Sequence, residues 1–214
     1  KAKKSKDPDI PSTRGALSGP YAEDFWKAMD DEIGSLEAKG TWKVVDRSTV
    51  PNGTKVIPGT WSHRIKRKPD GRLNKFKSRW CFRGDLERAS YEGNPYSPLV
   101  GWPTVRAALL LAATHGWKSR QVDFTLAFCQ SPQKREVFME LPQYYRPNGF
   151  EGRDEKSIYG QMDSPKLFYE HLCAGMNALG FEPTLSDPCL FVHKTLPIMV
   201  LNYCDDQIWL SPND

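Results

Sequence analysis

Ile198-Met199-Val200-Leu201-Asn202-Tyr203-Cys204-Asp205-Asp206-Gln207-Ile208-Trp209-Leu210 is the stretch on which the reading of this chain turns. Two hydrophobic runs, Ile198 to Tyr203 and Gln207 to Leu210, flank a pair of acids, the pattern of two antiparallel strands joined by a tight turn. Adjacent aspartates are hard to explain by packing, because like charges repel and neither can be buried unpaired without cost. A divalent cation removes the difficulty, since Mg²⁺ prefers carboxylate oxygens and completes its shell with water and substrate phosphates. The plain alternative is an exposed turn pair, because Asp is common in turns, and these two residues alone do not decide the matter.

Working back along the chain, Trp117 to Asp123 reads as a short strand that leaves Asp123 at its end, where a rigid sheet can hold a carboxylate while the chain turns away. With two bound ions, such acids support in-line phosphoryl transfer: one ion activates an attacking hydroxyl and the other stabilises the leaving pyrophosphate. Pro103 and Thr104 open a helix whose Val105, Ala108, Leu109 and Ala112 share a face, and a buried helix is expected, closed by Gly116. Ser164 as N-cap and Pro165 at the first position open another, carrying Phe168, Leu172, Met176 and Leu179 to Gly180. Cys189 to Val192 adds a further strand.

Residues 1–20 carry Pro8, Pro11, Gly15, Gly19 and Pro20 together with Lys1, Lys3, Lys4 and Lys6, which predicts a flexible basic lead-in. From Tyr21, Phe25, Trp26, Met29, Ile33 and Leu36 recur at helical spacing up to Gly40. Thr41 to Asp46 reads as a strand, Asn52-Gly53 as a turn, and a long hairpin follows with Pro69-Asp70-Gly71 at its tip. On that hairpin Arg64, Lys66, Arg67, Lys68, Arg72, Lys75, Lys77 and Arg79 fall within sixteen residues whose only acid is Asp70. Alternation with Trp61, His63 and Ile65, then Phe76, Ser78, Trp80 and Phe82, leaves one face packed and the other cationic, a geometry suited to phosphates. A solvated hairpin face is the bland alternative. The element order, without regular βαβ alternation, predicts an α+β fold whose antiparallel sheet has helices packed on one face.

With 214 residues, 39% of them hydrophobic, the chain can bury one core or a core plus a smaller lobe. Net charge of +4 does not by itself indicate a partner. No apolar run is long enough to span a membrane and the N-terminus is no signal peptide, so a soluble intracellular protein is expected. Five scattered cysteines suggest neither a disulfide framework nor a zinc ribbon, and Cys189 with His193 reads as strand packing.

Several segments together resemble the reverse transcriptases of copia-type LTR retrotransposons, from about Tyr21 to the C-terminus. They are Phe25-Trp26-Lys27-Ala28-Met29 through Gly40-Thr41-Trp42, Lys77-Ser78-Arg79, Tyr96-Ser97-Pro98-Leu99-Val100, Gln121-Val122-Asp123-Phe124-Thr125-Leu126-Ala127-Phe128, Ser157-Ile158-Tyr159-Gly160 with Ser164-Pro165, and Tyr203-Cys204-Asp205-Asp206, in the family's order. The resemblance implies fingers over about residues 21–100 and a palm over about 101–214, with a thumb, RNase H and integrase expected beyond them in a polyprotein. It implies an RNA-directed DNA polymerase taking an RNA or DNA template, a primer and dNTPs. Asp123, Asp205 and Asp206 would ligate two Mg²⁺ ions, or Mn²⁺ in their place, assisted by the Phe124 carbonyl. Lys75, Lys77 and Arg79 would contact the triphosphate, Tyr159 and Gly160 would border the nucleotide, and Phe128 would gate against ribonucleotides. Cytoplasmic particles and the nucleus are the implied compartments. The sequence departs from the family at Cys204, at Gln161-Met162-Asp163, at Trp80-Cys81-Phe82 and in the stretch after Phe128, none of which removes an acid. A catalytically inactive nucleic-acid-binding remnant is the competing expectation.

Overall fold

The computed structural model describes residues 7–88, 91–145 and 150–213, with the backbone alone for Phe150; the basic tail through Lys6 lies outside them. In chain order the elements are α1 (Thr13–Ser18), α2 (Ala22–Ala38), β1 (Trp42–Asp46), β2 (Gly59–Arg67), β3 (Leu73–Phe82), the single turn α3 (Gly84–Glu87), α4 (Trp102–Thr114) and β4 (Lys118–Asp123). There follow β5 (Phe138–Met139), β6 (Phe150–Asp154), α5 (Ser164–Ala178), β7 (Phe181–Pro183), β8 (Leu190–His193), β9 (Met199–Tyr203) and β10 (Asp206–Ser211). They divide into two compact units, residues 1–91 with 132–162 and residues 92–131 with 163–214.

In the first unit, Phe25, Met29, Ile33 and Leu36 form the buried stripe of α2, and Gly40 at φ +62 ends the helix in the left-handed conformation that glycine tolerates best. The β2–β3 hairpin pairs Trp61 with Trp80, His63 with Ser78 and Ile65 with Phe76 on one face, and Ser62 with Arg79, Arg64 with Lys77 and Lys66 with Lys75 on the other. The apolar face takes Phe25 of α2 and Ala16 of α1. His63 is 2% exposed, its Nδ1 stands 2.9 Å from Ser78 Oγ, and burial pushes its pKa down to about 4, so it is neutral packing.

The expected flexible lead-in does not extend over residues 9–18. Ser12 caps α1 by accepting from the Gly15 amide, Ala16 is buried, the Ile65 amide donates to the Asp9 carbonyl, and Arg67 grips both Asp9 oxygens at 2.8 Å. The Pro and Gly content masked a one-and-a-half-turn helix whose stability comes from docking. A split at residue 100 also fails to follow the chain, because β1 pairs along its whole length with β6, and β5 pairs with β6, returning residues 132–162 to the first unit. There Gly160 sits at φ +94, and an added Cβ would meet the Phe82 carbonyl oxygen at 2.1 Å. Gly160→Ala is therefore expected to cost about 2 kcal/mol or more, read as a lower urea midpoint at unchanged m value; an unaltered midpoint would contradict the close approach.

The second unit is a five-stranded antiparallel sheet in the order β4-β10-β9-β8-β7. Helices cover both of its faces, not one. Ala108 and Ala112 of α4 pack on Met199, Leu201 and Leu210, whereas Leu172 and Met176 of α5 pack on Phe191 and Val200. Successive β9 side chains point to opposite faces, so a strand buried at Met199, Val200, Leu201 and Asn202 needs cover on both sides. Nor is α4 buried throughout: Leu109 is 40% exposed and Leu110 69%, because only the small side chains at 108 and 112 let the helix approach the sheet. No helix among the described residues is long and apolar enough to cross a membrane.

Asp187, 6% exposed, ties α4 to the start of β8 by accepting from the Gly101 and Cys189 amides, each at 2.9 Å. Burial alone would raise its pKa, but the Thr104 side chain and those two amides outweigh it and hold the carboxyl below its usual value. Because the folded value lies below the unfolded one of about 3.9, this stabilisation is fully present above the unfolded value and is lost as pH falls through the folded one. Asp187→Asn should destabilise the protein at neutral pH and flatten the acid limb of its stability profile below about pH 5; an acid limb unchanged from the parent would contradict this role.

Candidate functional site

Tyr203 and Asp206 are cross-strand partners at the end of the β9–β10 ladder, so Cys204 and Asp205 form a two-residue connection. Cys204 adopts φ +54, a left-handed conformation costing a non-glycine residue about 1 kcal/mol. On the other side of β10, Asp206 is the direct partner of Asp123, the last residue of β4. Directly opposed residues of an antiparallel pair share a face with Cβ atoms roughly 5 Å apart. The Phe124 amide donates to the Asp205 carbonyl at 2.9 Å, pinning the turn to the end of β4. Three acids from sites 82 residues apart thus meet at one corner of the sheet.

Opposed like charges destabilise a ladder unless something neutralises them. Among the described residues no basic side chain forms an ion pair with Asp123, Asp205 or Asp206. Asp123 and Asp206 are exposed, and Asp205 and the adjacent Cys204 are half-buried. Burial, and then the adjacent Asp205 charge, raise the Cys204 pKa, so the thiol stays protonated and adds no further negative charge. A hard divalent cation fits this oxygen-only corner. No three acidic, Cys or His side chains among the described residues close a metal shell unaided, so water, main-chain oxygens or substrate phosphates would complete it.

Phe124 and Phe128 both stand edge-on to Phe168 of α5, with ring centroids at 5.7 and 6.1 Å. Both rings are half-buried, and Leu126 between them takes φ +52. Packing against Phe168 accounts for their position, while the exposed part of Phe128 leaves surface near Asp123 in the chain.

The basic residues belong to the first unit. The Arg79 guanidinium lies over the Tyr159 ring at 4.6 Å from its centroid, and the Phe82 amide donates to the Tyr159 carbonyl at 2.7 Å, bringing Arg79, Tyr159 and Gly160 together. Lys75 and Lys77 share Arg79's face of the hairpin. Burial first, then repulsion from Arg79, Lys66 and Lys75, weakens Lys77's hold on its proton, and the Glu32 carboxylate offsets this only in part. Arg67 and Arg72 are engaged by Asp9 and Asp70, whereas Arg64, Lys66 and Lys68 form no ion pair among the described residues.

Sequence reasoning missed a buried polar relay beside the acids. Trp209 Nε1 donates to Gln207 Oε1 at 3.0 Å, and Gln207 Nε2 donates to Asn202 Oδ1 at 3.3 Å; both amides are at most 2% exposed. Asn202 and Gln207 are cross-strand partners, one step from Tyr203 and Asp206. The signal was two amide side chains interrupting an otherwise hydrophobic pair of strands.

A family model described as reverse transcriptase (RNA-dependent DNA polymerase) matches residues 39–214. The Pol polyprotein from transposon TNT 1-94 of Nicotiana tabacum is 28% identical over 211 residues, which is 95% of this chain and 16% of that protein. That from transposon RE2 of Arabidopsis thaliana is 30% identical over 90% of the chain and 14% of its own length. The Ty1-BL Gag-Pol polyprotein of Saccharomyces cerevisiae is 26% identical over 89% of the chain and 11% of its length. The chain therefore spans about one sixth or less of these relatives. The corner of acids, the cationic hairpin and these matches identify the chain as belonging to the reverse transcriptase family, in its copia-type retrotransposon branch.

Proposed function

We propose that this chain carries the nucleotidyl-transfer centre of an RNA-directed DNA polymerase within a larger Pol polyprotein. The observation that carries the reading is the direct pairing of Asp123 with Asp206, with Asp205 fastened to Phe124 beside them. In this reading the first unit serves as fingers and the second as palm. Asp123, Asp205 and Asp206, with the Phe124 carbonyl, hold Mg²⁺ or Mn²⁺. Two such ions, when bound, lower the charge barrier at the primer hydroxyl and at the leaving pyrophosphate.

The remaining roles fall to side chains that position and neutralise. Arg79, with Lys77 and Lys75, grips the triphosphate of the incoming dNTP; stacking on Tyr159 presets the guanidinium so that less rotamer freedom is lost on binding. Gly160 lets Tyr159 lie close to β3. Phe128, braced by Phe168, offers its exposed edge as the steric gate at the sugar. Arg64, Lys66 and Lys68 contact template phosphates, and Arg67 and Arg72 join them only by leaving Asp9 and Asp70. Single-nucleotide extension of a primer on an RNA template tests the reading. A polypeptide containing this chain should extend only with divalent metal, and Asp205→Asn should abolish extension while retaining template affinity. Extension undiminished by that change would contradict the proposal.

A further inference from the structure

An acid stands beside the cationic hairpin. Glu32 of α2 is half-buried and reaches the edge of β3 that β2 does not cover, where its Oε1 accepts from the Trp80 amide at 3.3 Å. That amide nitrogen is bonded to the Arg79 carbonyl carbon, so the carboxylate lies alongside Arg79. Lys77, Arg79 and Cys81 share one face of β3, and all three lie within reach of the Glu32 charge. The Cys81 thiol is pushed up to about 11 by burial and then by that charge. Yet Glu32 forms no ion pair among the described residues, so the N–H donors of Lys77 and Arg79 stay available to another anion.

The hydrogen bond accounts for the position of this side chain but not for its charge. A glutamine carbonyl at the same place would accept from the Trp80 amide and leave no anion to desolvate. Burial raises the Glu32 pKa, and the Trp80 amide, Arg79 and Lys77 bring it back only in part, so the ionised form is held at a cost. What the charge changes is the field of the hairpin. Arg64, Lys66, Lys75, Lys77 and Arg79 gather on one face, and such a face attracts a pyrophosphate by the same chemistry as a triphosphate. A grip that holds substrate and product alike slows release and gains nothing in turnover. A negative charge set beside the cations, without bonding them, weakens that grip and leaves its geometry intact.

We propose that Glu32 is a built-in counter-charge that tempers the hold of Lys77 and Arg79 on polyphosphate, so that pyrophosphate is released after nucleotide addition. Glu32 acts through those two cations as a positioning residue, and the inference rests on their triphosphate role above. Calorimetric titration of the protein with inorganic tripolyphosphate in EDTA tests it away from the metal corner. Glu32→Gln should bind tripolyphosphate at least about threefold more tightly, the scale of removing one unit charge near a multivalent anion at low salt. The gain should shrink as salt rises. Glu32→Ala, which also drops the hydrogen bond, should show the same gain, and Glu32→Asp, which keeps the charge, should not. In primer extension by a polypeptide containing the chain, Glu32→Gln should let pyrophosphate inhibit at correspondingly lower concentration. Unchanged or weaker tripolyphosphate binding in both neutral variants, with Arg79→Ala still weakening it, would overturn the inference alone. If the parent does not bind tripolyphosphate, or Arg79→Ala binds it as the parent does, the triphosphate role of the hairpin falls and the inference with it.

Discussion

Asp206→Ala is expected to reduce metal-dependent primer extension by roughly a thousandfold or more, the scale of losing several kcal/mol of charge stabilisation in the transition state. The fold should survive, because Asp206 is exposed and has no ion pair among the described residues. The opposed Asp123 loses a like-charged neighbour, so stability at neutral pH should hold or rise slightly. Loss of activity with stability kept is the signature of a functional acid. An exposed turn pair would lose neither, and residual extension within tenfold of the parent would favour that plain alternative.

The second large effect concerns the relay beside the acids. Gln207→Leu strands the Trp209 indole N–H and the Asn202 amide in a buried setting, a loss of about 2–3 kcal/mol. Replacing both partners, Asn202→Leu with Gln207→Leu, should recover part of that, since only the Trp209 N–H then remains unsatisfied. Urea denaturation of the two singles and the double gives the coupling directly. Strictly additive losses would show that the amides do not act as a pair.

Local patterns make much of this legible in the sequence. The stripe from Phe25 to Leu36, the alternation along β2 and β3, and the paired acids between hydrophobic runs carry period and turn signals within a few residues. What escaped depends on distant partners. Nothing near Phe138 or Glu151 announces that they enter the sheet begun by β1, roughly a hundred residues earlier, because strands of two and five residues carry almost no periodic signal. The cover on both faces of the second sheet could have been read from the unbroken apolar run at Ile198 to Leu201, which suits a strand buried on both sides.

The candidate site divides in the same way. Asp123, Asp205 and Asp206 were recognisable because packing offers no reason for unpaired carboxylates at strand ends. The basic hairpin was recognisable as a group, but not the fate of its members. Arg67 is occupied by Asp9, which lies 58 residues earlier in a segment expected to be flexible, and Arg72 by its near neighbour Asp70. Asn202 and Gln207 carry a signal of their own, because a polar residue inside a buried hydrophobic strand must find a partner.

Titration of the chain with Mn²⁺, followed by the loss of the free-ion electron paramagnetic resonance signal with and without a dNTP, tests the central claim most directly. The account predicts saturable binding that tightens and reaches two ions per chain when the nucleotide is present. Asp123→Asn and Asp206→Ala should each weaken it by at least about tenfold, as expected when one carboxylate of a small oxygen shell is removed. Mn²⁺ binding in either variant that superimposes on the parent's would contradict the assignment of this corner as a metal site.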